Sequence, residues 1–280
     1  MNSNPLVSVI IPVFNDEKFI VETLESVKSQ TYTNWEVILV NDGSTDKSES
    51  IIIENITDDS RFNYFLKSNS GVSETRNEAI KKAKGIYILP LDSDDLIAKD
   101  YIKDAVTIFE KNPETKLVYC RANFFGEVNK EFKLSKYKYE DLLLRNSIFC
   151  SAFYKKEDFL KTNGYDKNLK LGLEDWEFWI QFLNKNSIVI RLNKIHFFYR
   201  IKANSRNTIH SNETKIREIQ DYIYEKHKEK YDSILFNNKP KIEELYKIFD
   251  TNKKFEQMKK SIFYTLFKLV REIKKPFISN

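Results

Sequence analysis

Apolar residues along this chain alternate between short unbroken runs and spacings of three and four, and the two patterns take turns through the first 120 residues. LVSVIIPVF (6–14) is a run rich in β-branched residues, closed by Pro12, and predicts a buried strand. DEKFIVETLESVKSQ (16–30) then places Ile20, Leu24 and Val27 on one helical face, with Asn15 or Asp16 as the expected cap. The same alternation follows with WEVILVND (35–42) as strand, KSESIIIENI (47–56) as helix behind Asp46, and FNYFLK as strand. A helix over about 72–84 ended by Gly85, the strand GIYILPLD, the helix KDYIKDAVTIFEKN stopped by Pro113, and the strand KLVYC (116–120) complete it. Strand and helix in alternation with short connections predict an α/β fold with a mostly parallel sheet flanked by helices.

Past residue 120 the period is lost. RANFFGEVNKEFKLSKYKY predicts a loop or a short hairpin, 139–146 and 175–186 predict helices, and NSIVIRLN (186–193) a returning strand. From 211 onward the pattern is helical and highly charged, so the expected organisation is a domain over 1–210 and a helical, basic C-terminal extension over 211–280.

Charge narrows the possible partners. The formal net charge is +5, but residues 252–280 hold eight Lys and Arg against two Glu, so the excess lies in the tail and the remaining chain is near balance. A nucleic-acid binder would carry its basic face on the folded body, and that class is set aside. In the tail, Phe255, Met258, Ile262, Leu266, Leu269 and Ile273 recur at helical steps with basic residues between them. Such a stripe fits either core packing or an anionic membrane surface. No run of eighteen apolar residues and no basic, cleavable start appear, which predicts a cytoplasmic protein, peripheral at most on the inner face of the cytoplasmic membrane. Cys120 and Cys150 lie in apolar surroundings without metal spacing and read as buried thiols.

In open α/β sheets ligands bind beyond the carboxyl ends of the strands, and three strand ends are unusual here. PVFND ends the first. VNDGSTD ends the second, with Asp42 at the mouth, Gly43 and Ser44 in a turn, and Asp46 at a helix start; turn and cap chemistry explains the same letters. LDSDD (91–95) ends the fourth with three acids in four positions. Like charges so close are costly unless a cation joins them, and a helix cap explains one acid, not three. A calcium loop counted from Asp92 fails, because Ile97 and Lys103 stand where Gly and Glu are required. Mg²⁺ or Mn²⁺, completed by phosphate oxygens, fits better, with Asp94 as metal ligand and Asp92 toward a ribose. The six glycines form no GxGxxG and no GK[ST], so a glycine cradle for phosphate is excluded.

Three further stretches carry chemistry. Arg76 lies early in the GVSETRN helix, upstream of the acids. LEDWEFW clusters Glu174, Asp175 and Glu177 at a helix start, where the helix dipole alone favours acids. With Trp176 and Trp179 beside them, the same acids would serve a sugar site, as a base and an apolar platform. HFFYRIKANSRNTIH (196–210) offers Arg200, Lys202 and Arg206, with His196 or His210, as cations for a leaving diphosphate.

In this order and spacing PVFND, VNDGSTD, GVSETRN, LDSDD and LEDWEFW resemble the inverting family 2 glycosyltransferases of GT-A fold, over residues 6–205. The resemblance implies a nucleotide-sugar donor, UDP-linked, a divalent cation, and a glycan or lipid-linked glycan acceptor in cell-surface polysaccharide synthesis. By it, Pro12, Val13, Asn15, Asp42, Ser44, Arg76, Asp92, Ser93, Arg200 and Lys202 bind the nucleotide sugar. Asp94 holds the metal, Asp175 is the catalytic base, and Glu174 and Trp176 meet the acceptor. Lys202 stands where the family often has His. The QxxRW signature of processive members is absent, which implies transfer of one sugar. Two other readings remain: a sugar-nucleotide pyrophosphorylase, which wants a Gly-rich basic loop after the first strand, and a non-catalytic carbohydrate- or lipid-binding relative.

Overall fold

A computed structural model describes residues 4–134, 136–202 and 213–233. The tail stripe at 252–280, Arg206 and His210 lie outside the described residues. The chain divides into two compact units, residues 1–137 with 147–205, and residues 138–146 with 206–280. The segment 138–146, which the sequence reading keeps in the first domain, thus groups with the second unit.

Among the described residues of the first unit, β1 (Val7–Val13), β2 (Trp35–Asn41), β3 (Phe62–Leu66) and β4 (Tyr87–Pro90) alternate with helices α1 (Ile20–Lys28), α2 (Ser48–Ile56) and α3 (Val72–Lys82). Every residue of β1, β2 and β4 is buried, as the unbroken apolar runs require of strands covered on both faces. β2, β1 and β4 pair in parallel, with β3 outside β2. Pro12 is tolerated inside β1 because the β4 ladder stops at the pair Ile10↔Pro90.

The second half of the sheet departs from the expected pattern. β5 (Leu96–Ile97) follows LDSDD directly, α4 (Tyr101–Lys111) comes next, and β6 runs from Thr115 to Gly126, with β7 (Lys130–Phe132) folded back on it. Of the loop or short hairpin expected after KLVYC, the hairpin forms, built on the far end of a twelve-residue strand. α5 (Tyr139–Leu144) belongs to the second unit. β8 (Phe153–Lys155) and the one-turn α6 (Lys156–Phe159) precede α7 (Glu174–Phe182) in the first unit. β9 extends from Ile188 to Ile201, well past the strand expected at 186–193. The second unit adds α8 (Glu213–Lys226) and α9 (Lys228–Tyr231).

The strand order is β3-β2-β1-β4-β8-β6-β9-β5. β8 is antiparallel to β4 and β6, while β6 and β9 run parallel. The arrangement is a GT-A-like α/β fold, a mostly parallel sheet with flanking helices. One pairing positions the site. β5 lies antiparallel to β9, with Leu96 opposite Phe198 and Ile97 opposite Phe197. The two residues after LDSDD are thereby fixed to the two residues before Tyr199 and Arg200, so the acids and the cations must meet.

Candidate active site

The first wall of the crevice is the end of β1 against the β2–α2 loop. Asn15 adopts a left-handed backbone with φ of 56°, a conformation Asn tolerates better than most residues. Its Oδ1 accepts the Thr45 N–H at 2.8 Å and its own N–H donates to Ser44 Oγ at 3.0 Å. Neither Asn15 nor Asp16 caps α1 through its side chain, in contrast to the sequence expectation, because both side chains are held elsewhere. Gly43, at φ 71°, makes the turn after β2; a Cβ there would meet Asn69 N at 2.9 Å. Asp42 is 3 % exposed. Its carboxylate accepts the N–H groups of Ser70 at 2.9 Å and Gly71 at 2.8 Å, with Lys67 Nζ at 3.6 Å, so it orders the turn leading into α3.

The LDSDD turn is pinned from two sides. Thr23 of α1 donates to the carbonyls of Ser93 and Asp95, at 2.9 Å each in this buried geometry. From β9, Arg200 donates its N–H to Asp95 Oδ1 at 2.8 Å and its Nε–H to the Asp94 carbonyl at 2.7 Å, and reaches Glu22 at 3.0 Å. Its guanidinium lies over the rings of Phe125 (4.2 Å) and Phe19 (4.7 Å). Ser93 Oγ donates to Asp16 Oδ2. Lys202 Nζ bridges Asp94 Oδ2 at 2.6 Å and Asp16 Oδ1 at 2.8 Å.

Two carboxyls of this turn, crowded out of water, resist ionisation. Burial, followed by the charges of Asp94 and Asp92, drives Asp95 well above the usual carboxylate range. Burial also raises Asp94, against the pull of Lys202. Burial opposes the charge on Lys202, but Asp94 and Asp16 outweigh it and hold the ammonium above its ordinary value.

The second wall is α7. Gly172 (φ 119°) and Leu173 (φ 63°) turn the chain into its first residue. A left-handed leucine is strained, of a kind that collects at functional sites. Arg76, 1 % exposed, donates from Nη1 to Glu174 at 2.7 Å and from Nη2 to Asp92 at 2.5 Å. This corrects the expectation that Arg76 reaches across the crevice to a nucleotide: the guanidinium is a buried tie between the LDSDD turn and α7. Cys150, whose Sγ lies 3.6 Å from Asp92 Oδ2, belongs to the same cluster. Burial and then the Asp92 charge push its thiol far up, and Asp175 adds to that push. Asp175 itself accepts the Trp176 N–H at 2.7 Å.

Trp176 and Trp179 are corrected as well. They are 1 % and 0 % exposed, and Trp179 Nε1 donates to the Ile148 carbonyl at 3.1 Å. α7 buries six of its nine residues, so these rings are core rather than an open sugar platform. His196, an alternative among the expected cations, is 3 % exposed and pairs with Asp104 at 3.0 Å, outside this cluster of contacts. Sequence reasoning missed Asp16, Glu22, Thr23 and Asp95. The third acid of LDSDD signalled Asp95; nothing in the pattern separates Thr23 from an ordinary helix residue.

The acids fit a divalent cation that arrives with phosphate oxygens of its own. Asp94 offers one carboxylate, and Asp95 Oδ2 is buried without a hydrogen-bond partner. Among the described residues no group of three or more His, Cys, Asp or Glu could enclose a metal by itself. Magnesium-type sites are commonly completed in this way, by one or two carboxylates with substrate phosphates.

A sheet with acids and cations gathered at its carboxyl mouth places the ligand crevice of an α/β fold there. Residues 8–174 match Glycosyl transferase family 2, and the chain belongs to that family and is a glycosyltransferase. An uncharacterised glycosyltransferase of Rickettsia typhi is 30 % identical, over 78 % of this chain and 70 % of its own. The minor teichoic acid biosynthesis protein GgaB of Bacillus subtilis is 32 % identical over 72 % of this chain, but only 24 % of its own length. Among solved structures, residues 1–349 of Staphylococcus aureus TarS with UDP-GlcNAc superpose with a TM-score of 0.63 at 22 % identity, covering 85 % of this chain and 77 % of that one. The Pyrobaculum calidifontis mannosyltransferase with GDP-Man and Mn²⁺ gives 0.60 at 16 % identity, covering 98 % and 87 %. At these identities the two structures establish the shared fold alone.

Proposed function

We propose that the chain transfers one sugar, with inversion, from a UDP-linked donor to a hydroxyl of a cell-surface glycan or lipid-linked glycan. The observation that carries this reading is the LDSDD turn, pinned by Thr23 and Arg200 at the sheet mouth and tied through Arg76 to the helix that bears Asp175. Asp42 takes the imino N–H of uracil with lone pairs left over by Ser70 and Gly71, and Pro12, Val13, Asn15 and Ser44 line the nucleoside. Asp92 and Ser93 face the ribose. A divalent cation held by Asp94 would supply charge for the diphosphate. Lys202 and Arg200 add to that charge as the leaving group departs, and such stabilisation is commonly the largest part of catalysis.

Asp175 accepts the proton of the acceptor hydroxyl while that oxygen attacks the anomeric carbon from the face opposite the diphosphate. Glu174 sits beside it, held by Arg76 at 2.7 Å. Teichoic acid relatives such as GgaB, and a structural neighbour solved with UDP-GlcNAc, support the choice of acceptor class and donor. Work at the inner face of the cytoplasmic membrane is consistent with this role, and among the described residues no helix is long and apolar enough to cross a membrane. The test is a panel of UDP-sugars with Mn²⁺, comparing wild type with Asp175→Asn. Loss of the base should lower kcat by about a hundredfold or more with donor binding unchanged; a variant that keeps a tenth of the activity removes Asp175 from the role.

A further inference from the structure

Lys202 stands on a carboxylate oxygen of Asp94, the acid read as the metal ligand. Its Nζ lies 2.6 Å from Asp94 Oδ2 and 2.8 Å from Asp16 Oδ1, and 4.6 Å from the Phe19 ring centroid. Asp16 is not free to swing away, since Ser93 Oγ donates to its other oxygen and its backbone N–H donates to Ser48 Oγ at 2.9 Å. The Asp94 backbone is fixed, because Arg200 holds its carbonyl at 2.7 Å and Thr23 holds the carbonyls on either side. The ammonium therefore sits between the held carboxylate of Asp16 and the carboxylate that the fixed backbone of Asp94 presents. Its own side chain is a quarter exposed, at 25 %, and a flexible four-carbon stem lets it leave.

A divalent cation coordinated to Asp94 Oδ2 would lie within a few ångströms of that ammonium. Two like charges so close in a partly buried site repel strongly, so metal and lysine exclude each other on this oxygen. A diphosphate changes the balance: it offers the ammonium new acceptor oxygens and offers the metal the ligands that the protein does not provide.

We propose that Lys202 is the resident counter-ion of the Asp94–Asp16 pair and competes with the divalent cation, so that metal enters in concert with a nucleoside diphosphate. Metal alone then binds weakly, and nucleotide and metal favour one another because each helps to move the lysine. The inference rests on the reading of Asp94 as the metal-side acid.

The test titrates Mn²⁺ alone into the nucleotide-free full chain and follows the electron paramagnetic resonance signal of unbound manganese. Lys202→Gln removes the competing charge and should bind Mn²⁺ about tenfold or more tighter than wild type. Lys202→Arg, which retains the charge, should match wild type. Adding UDP should tighten Mn²⁺ binding in wild type by more than it does in Lys202→Gln. Lys202→Met, with an uncharged stem of similar length, is read in the same way and guards against a folding defect peculiar to Gln. Equal or weaker manganese binding by both uncharged variants overturns the competition. UDP-sugar turnover by wild type on the same preparation separates the two levels: turnover with unchanged manganese affinities removes only the role of Lys202. No turnover and no UDP binding removes the transferase reading beneath it.

Discussion

Arg76 holds Asp92 with one Nη and Glu174 with the other, from a position 1 % exposed. Burial alone would weaken its charge, yet Asp92 and Glu174 hold it well above the ordinary guanidinium value. Removing one member of such a group leaves the others charged in a poor solvent, at a cost of about 3 kcal/mol or more. Arg76→Met should therefore lower unfolding free energy by roughly that amount in urea titrations. Loss within a few tenths of a kcal/mol would mean that water screens the pair, as at exposed sites. The residue type was legible in GVSETRN, but its use was not: a sequence shows that a cation precedes the acids, not which way its side chain turns. The same limit applies to Trp176, where acids and tryptophans together suggest a sugar site and the packing of α7 puts the rings in the core.

At the scale of elements, the β2–α2 loop is held by Asp46, which accepts the N–H of Ser48 at 2.9 Å and of Glu17 at 3.1 Å. Burial would raise this carboxyl, but those hydrogen bonds prevail and hold it below the usual range. A depressed folded pKa means that the unfolded chain binds more protons, so the stabilisation is present above the ordinary carboxylate value and lost as pH falls through the folded one. Asp46→Ala should cost about 1 kcal/mol at neutral pH. Thermal melts at descending pH should show the difference closing below about pH 4. A gap unchanged down to pH 2 would contradict this assignment. Elements with a clear period (β1, α1, β2, α2, α3, β4 and α4) were readable within a few residues. β8 and α6, at three and four residues, are too short to show any period. β9 was cut short at Asn193 because exposed Asn193 and Lys194 break its apolar pattern, while pairing with β6 and β5 carries the strand through them.

For the molecule as a whole, the decisive feature is that topology, not local sequence, joins the acids to the cations. LDSDD and Arg200 are over a hundred residues apart, and only the β5–β9 pairing brings Asp95 to the Arg200 N–H at 2.8 Å. The motifs announced the parts; their meeting point followed from the sheet. The account stands or falls on whether that point receives a metal-bound diphosphate. Manganese anomalous scattering from crystals grown with UDP and Mn²⁺ tests this directly. The account predicts a single strong peak bonded to the Asp94 carboxylate and to diphosphate oxygens, with Lys202 moved off Asp94. A peak elsewhere, or UDP bound while Lys202 still bridges Asp94 and Asp16, would contradict it.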